Sequence, residues 1–128
     1  MFSYELPVRY ADTDAQGHVF FANYLTFFDE GLTYFFEHLG CRYEDLEAEG
    51  AMFVFADAQC RYLGSARFGD RVQVDVRCER LGRTSLTTAY VLRRGEDVLA
   101  EGTLVSVCLD TSTRTPRALP ERLREALG

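Results

Sequence analysis

The chain has 128 residues, a formal net charge of −6 at pH 7 and a hydrophobic share of 47%. Such a length suits one domain with its own core, and we expect residues 1–128 to form it. The acidic balance argues against a nucleic-acid partner, because phosphate binding rests on clustered positive charge. No apolar run approaches the roughly 18 residues that cross a bilayer, and residues 1–5 lack the start of a secretion signal. We therefore expect a cytoplasmic protein without a membrane partner.

The amino-terminal half predicts one strand and one long helix. Residues 3–12 alternate loosely before a polar turn, which favours a strand. Residues 23–39 carry polar side chains on a narrow stripe and apolar ones around the rest, a pattern typical of a buried helix. Gly40 follows, where helices commonly end on glycine. Asp29 is a polar exception that the pattern does not explain.

The remaining sequence predicts a short acidic helix, four strands joined largely by tight turns, and a short terminal helix. Residues 72–78 and 86–92 alternate apolar and polar side chains, which indicates half-buried strands. The run 98–109 is more continuously apolar, which predicts a strand covered on both faces. The six ranges are 43–50, 51–63, 72–78, 86–92, 98–109 and 120–127. The element order predicts an α+β fold, with an antiparallel β-sheet wrapped around one long buried helix.

The cysteines indicate neither a disulfide framework nor a metal site. They are widely spaced, form no C-x-x-C pair and lack an export signal, so we expect them to be reduced and buried. Only two histidines could join them as ligands, and no spacing suits zinc. The residues concerned are Cys41, Cys60, Cys78, Cys108, His18 and His38. We expect no metal and no redox cofactor.

Chemistry-bearing residues concentrate between Tyr10 and Gly31. Asp14 lies in a short polar turn with Gly17, just before the long helix. Free N–H groups and the positive end of the helix dipole collect at such a helix start. A carboxylate beside N–H donors is what an enzyme needs to attack a carbonyl. A turn residue or a cap is the structural alternative for Asp14, and Asp12 is its neighbouring rival.

This segment resembles the signature of the 4-hydroxybenzoyl-CoA thioesterase-like branch of the hotdog-fold acyl-CoA thioesterases. That signature reads Thr-Asp, two residues, Gly, an apolar pair, an aromatic, two residues and a second aromatic. The matching residues are Thr13, Asp14, Gly17, Val19, Phe21 and Tyr24. His18 departs from the strict pattern, which has an aliphatic residue there, but Gly-His-Val is similar to a form found in other acyl thioesterases of this fold.

The resemblance implies roles for the residues of this segment. Asp14 would be the nucleophile or the general base, and the Phe21 N–H would bind the oxyanion. Gly17 would let the backbone approach the thioester closely. His18 would orient rather than act as the base. We interpret Asn23 as the helix N-cap.

Substrate contacts are the next expectation. Phe20, Phe21 and Tyr24 would wall the acyl pocket, with a place in the core as the alternative. Arg83 and Ser85, in a turn between strands, are the candidates for holding coenzyme A, since Arg can grip phosphate bidentately. Two further arginines, Arg61 and Arg67, are weaker candidates for the same role.

The resemblance implies that the chain would hydrolyse an acyl-CoA as a homodimer, with a dimer of dimers as the larger form and the site between subunits. Three alternatives remain open. The first is a hydratase or dehydratase of the same fold, whose motifs are not found here. The second is a silent acyl-CoA-binding or acyl-carrier-binding module. The third is a carrier-protein thioester as substrate. Aromatic and fatty acyl groups also remain equally possible.

Overall fold

The computed structural model describes residues 1–128 as five strands, three helices and a short 3₁₀ turn. The strands pair antiparallel throughout, in the order β1-β3-β4-β5-β2. The predicted α+β arrangement, an antiparallel sheet wrapped around one long helix, is therefore confirmed. The bounds are β1 Phe2–Pro7, 3₁₀ turn Tyr10–Asp12, α1 Asn23–His38, α2 Tyr43–Ala48, β2 Ala51–Tyr62, β3 Arg71–Leu81, β4 Ser85–Arg94, β5 Asp97–Asp110 and α3 Glu121–Leu127.

The first strand is shorter than predicted. It ends at Pro7, and the chain then forms the 3₁₀ turn instead of extending to residue 12. The cause is the buried side chain of Asp12, whose Oδ2 accepts the Arg9 N–H at 2.8 Å while Oδ1 pairs with the Arg9 guanidinium at 2.9 Å. These bonds close a turn that a loosely alternating pattern does not reveal. Asp12 is thus a structural carboxylate.

Helix α1 packs one face on the sheet. Phe28 is fully buried and stacks on Tyr90 with ring centroids 4.7 Å apart. A Cβ on Gly31 would come within 2.9 Å of Val74, so glycine lets the helix approach β3 closely. The prediction of burial around most of the helix was too broad, because Tyr34 is 40% exposed. Asp29 also lies on the exposed side.

The alternation predicted for β3 and β4 is confirmed, with the side chains of Val72, Val74 and Val76 buried beneath α1. Strand β5 differs from its prediction. Ser106 and Cys108 are buried, but their neighbours in sequence on the opposite face are only half-buried in the single chain. All four cysteines are free, and two of them, Cys60 and Cys78, are half-buried rather than buried.

Strand β2 is a long exposed edge of the sheet. It pairs only with β5, and most of its 12 residues are exposed. Val54 and Phe55 are 40% and 49% exposed, and a register shift follows Phe55. Such an edge offers unpaired backbone groups to another strand. None of the three helices combines the length and the hydrophobicity that a membrane crossing requires.

Candidate functional site

The predicted motif folds as a small hairpin that leads directly into α1. Thr13 pairs with Val19, and the Phe20 N–H donates to the Asp12 carbonyl at 2.9 Å. Gly17 forms the tip with φ +81°, a conformation that costs other residues energy. A Cβ on Gly17 would meet no atom within 4 Å, so the surface beside the tip is open. Glycine is thus needed here for the turn itself.

Asp14 holds its own turn and leaves one oxygen free. Its Oδ1 accepts the N–H of Gln16 at 2.9 Å and that of His18 at 3.3 Å. The half-buried side chain forms no ion pair, and Oδ2 accepts no hydrogen bond within the chain. The turn role, the structural alternative for Asp14, is therefore present. The two bonds also hold the carboxylate in one orientation, with its second oxygen unpartnered within the chain.

The start of α1 presents two backbone donors. The N–H groups of Phe21 and Ala22 donate to no acceptor within the chain, whereas that of Asn23 donates to the Phe20 carbonyl. The N-cap is Ala22 rather than Asn23. The Asn23 side chain instead donates to the Asp12 carbonyl at 3.0 Å and ties the helix to the hairpin. The two free N–H groups lie at the positive end of the helix dipole.

The residues before β3 hold the hairpin in place. The Val19 N–H donates to the Ala66 carbonyl at 2.9 Å, and His18 forms an isolated bridge with Arg67. The Ala66 N–H in turn donates to the hydroxyl of Tyr24 at 3.1 Å. Tyr24 is only 3% exposed, so its side chain lies in the core, which was the alternative to a place in the wall of the acyl pocket.

The side chains of His18 and Phe20 have different surroundings from Tyr24. His18 contacts Asp14 through its backbone, and its imidazole forms no hydrogen bond within the chain. Phe20 is exposed, and its ring lies 4.8 Å from that of Phe21, also exposed, measured between centroids. These two rings therefore form an apolar surface beside the free N–H groups.

The structure does not bring Arg83 and Ser85 to Asp14 within one chain. Both lie at the β3–β4 turn, whereas the hairpin contacts the residues just before β3. Strand β3 has 11 residues, so its ends are separated by roughly 30 Å. The Arg83 side chain is exposed and unpaired, and its carbonyl accepts the Leu119 N–H at 2.9 Å. Within one chain, Arg83 and Ser85 are therefore separate from the hairpin.

The weaker arginine candidates differ in place. Arg67 lies beside the hairpin through its bridge to His18. Arg61 is on β2 and faces Glu101 at 4.0 Å. Of the three arginines considered, Arg67 is thus the one that lies near Asp14 in the same chain. The sequence named Arg67 only as a weaker candidate, because its proximity to the hairpin depends on how the segment before β3 folds.

Tyr62 is a site residue that the sequence did not reveal. It ends β2, and its hydroxyl donates to the Phe21 carbonyl at 2.7 Å, across 41 residues of sequence. Burial raises the pKa of Tyr62 to about 12, so the phenol keeps its proton at neutral pH. Only the meeting of β2 with the start of α1 reveals this contact.

A well-defined cleft in the chain lies away from these groups. This cleft of about 500 Å³ opens on the face of the sheet opposite α1, with Asp75, Arg77 and Thr103 among its lining residues. None of the hairpin residues lines it. No group of three or more His, Cys, Asp or Glu side chains is arranged to hold a metal ion. The candidate site is thus an open surface next to the exposed edge β2.

Residues 8–127 match the model of the thioesterase-like superfamily. The chain belongs to this superfamily. It is 30% identical over 124 residues to the acyl-CoA thioester hydrolase YbgC of Escherichia coli O6:H1, covering 96% of this chain and 92% of that protein. It is 27% identical over 128 residues to the 1,4-dihydroxy-2-naphthoyl-CoA hydrolase of Synechococcus elongatus, covering 98% and 94%.

A crystal structure supports the same assignment. The hypothetical protein AQ1494 from Aquifex aeolicus aligns with a TM-score of 0.94 at 25% identity, over 100% of both chains. Together with the superfamily match, this likeness confirms the predicted hotdog fold.

Proposed function

We propose that the protein hydrolyses an acyl-CoA thioester, with Asp14 as nucleophile or general base and the Phe21 N–H as oxyanion donor. One observation carries this proposal. The free oxygen of Asp14 and the free N–H of Phe21 belong to one hairpin–helix unit, held by bonds that leave both groups unused. The matched superfamily and the two curated relatives support the reaction class.

Two routes use these groups. As nucleophile, Asp14 attacks the thioester carbon, the C–S bond breaks, CoA leaves as a thiolate that takes up a proton, and water then hydrolyses the mixed anhydride. As general base, Asp14 takes a proton from water while the water oxygen attacks the thioester carbon, and the C–S bond then breaks and releases CoA as a thiolate that takes up a proton. In both routes the carbonyl oxygen becomes negative, and each N–H donor stabilises it by roughly 3 kcal/mol.

The protein would work in the cytoplasm as a homodimer, and as a dimer of dimers in its larger form. Two features support the homodimer. Strand β2 is exposed along most of its length, as a strand that pairs with a second copy would be. Arg83, the candidate for holding CoA phosphates, lies at the far end of β3 from Asp14 in the same chain. A partner would both cover β2 and complete the site between subunits.

The acyl group would be aromatic, as in the 4-hydroxybenzoyl-CoA branch. The exposed rings of Phe20 and Phe21 beside the donors support a flat apolar substrate group. The Synechococcus relative carries the name of an aryl-CoA hydrolase. We therefore expect the protein to hydrolyse aromatic acyl-CoAs faster than fatty acyl-CoAs.

The test is release of free thiol from a panel of aromatic, short-chain and long-chain acyl-CoAs and an acyl-carrier-protein thioester. We expect turnover of CoA esters, with aromatic groups preferred. Binding without turnover would favour the silent module, and turnover of the carrier thioester alone would change the substrate. Hydration of an enoyl-CoA without hydrolysis would favour the hydratase.

Replacing Arg83 by Ala should raise KM for the preferred acyl-CoA by about tenfold and leave kcat unchanged, because one phosphate contact is lost. The corresponding N-acetylcysteamine thioester, which lacks phosphates, should show no change in KM. Arg80→Ala is the control, since Arg80 is exposed and forms no ion pair. Equal effects on both substrates would contradict the phosphate role.

A further inference from the structure

One side-chain hydrogen bond joins the end of β2 to the first residues of α1. The hydroxyl of Tyr62 donates to the Phe21 carbonyl at 2.7 Å. That carbonyl otherwise accepts only the long bond from the Tyr24 N–H, at 3.4 Å. Tyr62 is 45% exposed as a whole, yet its polar atom is used in this bond. The bond lies directly beside the proposed oxyanion donor.

We propose that Tyr62 is a positioning residue, which orients and strengthens the Ala22 N–H as a second donor to the oxyanion. This inference rests on the proposed hydrolase function and adds the Tyr62 hydroxyl and the Ala22 N–H to the proposed site. The Ala22 N–H donates to no acceptor within the chain, as is true of the Phe21 N–H. Ala22 is the N-cap of α1 and Phe21 is the residue before it, so both N–H groups lie at the amino end of the helix.

The link from Tyr62 to Ala22 runs through a single peptide unit. The Phe21 carbonyl and the Ala22 N–H share one rigid plane, so holding the oxygen fixes the direction of the hydrogen. A peptide whose carbonyl accepts a hydrogen bond is also polarised, which makes its N–H a stronger donor. The negative charge that develops on a thioester oxygen would benefit from both effects.

Tyr62 is itself fixed in place, so it can fix the orientation of the Phe21–Ala22 peptide. Its backbone pairs with Ala100 of β5, and its ring contacts Tyr24 edge-on with centroids 5.1 Å apart. The sheet and the buried Tyr24 thus anchor the phenol at a fixed distance from α1. Since burial raises the pKa of Tyr62 to about 12, the hydroxyl stays a donor throughout the usual assay range.

The test is Tyr62→Phe, which keeps the ring and its packing and removes only the hydroxyl. We expect kcat for the preferred acyl-CoA to fall about tenfold, less than loss of a whole oxyanion donor, with KM within about twofold of wild type. The control is Tyr34→Phe, because Tyr34 is similarly exposed and stacks on Tyr4 away from the start of α1. Tyr34→Phe should keep wild-type kcat.

Two CoA analogues separate positioning from a general structural role. A trifluoromethyl ketone of CoA can form an oxyanion-like adduct, whereas a CoA thioether lacks the carbonyl. Tyr62→Phe should weaken binding of the ketone about tenfold and leave the thioether unchanged. Equal weakening of both, or an unchanged kcat in an active enzyme, would overturn this inference alone. A wild-type protein inactive on every thioester would overturn the proposed function as well.

Discussion

Replacement of Asp14 by Asn is expected to lower kcat by at least about a hundredfold while the protein stays folded. Asn keeps the size of the side chain, and its Oδ1 can still accept the N–H groups of Gln16 and His18. The amide lacks the charge needed to attack the thioester carbon or to take a proton from water. Thiol release measures the activity, and thermal unfolding checks the fold.

Asp12→Asn is the matched control, because it makes the same chemical change two residues earlier. Asp12 is buried and bonded to Arg9 through both backbone and side chain. We expect Asp12→Asn to lower the unfolding temperature and to keep kcat within a few-fold of wild type. Retained activity in Asp14→Asn, or loss only in Asp12→Asn, would show that the reactive carboxylate was misassigned.

Gly102→Ala is expected to cost about 3 kcal/mol of stability, at the upper end for overpacking of a core. A Cβ at this position would lie against the Gln59 carbonyl oxygen of β2 and the buried ring of Phe28. The Gln59 oxygen is backbone in a paired strand and cannot rotate away as a side chain would. Urea unfolding monitored by circular dichroism measures the change.

The neighbouring Thr103→Ala provides the comparison for Gly102→Ala. Thr103 is the next residue of β5, where side chains alternate between the two faces of the sheet, and its side chain forms no hydrogen bond within the chain. Because Thr103 is half-buried and its replacement leaves no clash, we expect a loss within about 1 kcal/mol, the span of strand propensities. Similar stability of the two variants would mean that β2 and β5 separate more easily than their pairing indicates.

The fold was predictable where periodicity is strong. The alternation in β3 and β4 and the long apolar stretch of α1 follow directly from residue spacing. The end of β1 was not predictable, because it depends on the hydrogen bond by which the Asp12 carboxylate closes the following turn. Burial of β5 was overestimated. Its continuous apolar run suggested that both faces of the strand are covered, but within one chain only one face is.

The candidate site was predictable only in its local part. The hairpin and the helix start lie within about a dozen residues of each other, so the motif indicates both. Tyr62 reaches the site from the end of β2, far away in sequence, and nothing in its own neighbourhood marks it. Arg67 was a weaker candidate for holding CoA, but its place beside His18 follows only from the fold. Arg83 is the opposite case. Its turn between two strands suggested a role in holding CoA, but within one chain the length of β3 separates it from Asp14.

The exposed edge β2 has a consequence for the behaviour of the protein at low concentration. In the proposed dimer, a chain on its own would have an incomplete site and an open strand carrying Val54 and Phe55. Activity per molecule would then fall on dilution and recover on concentration, with a midpoint at the dissociation constant. Newly made chains would be inactive until they meet, and during that interval the open strand would be their main risk of aggregation.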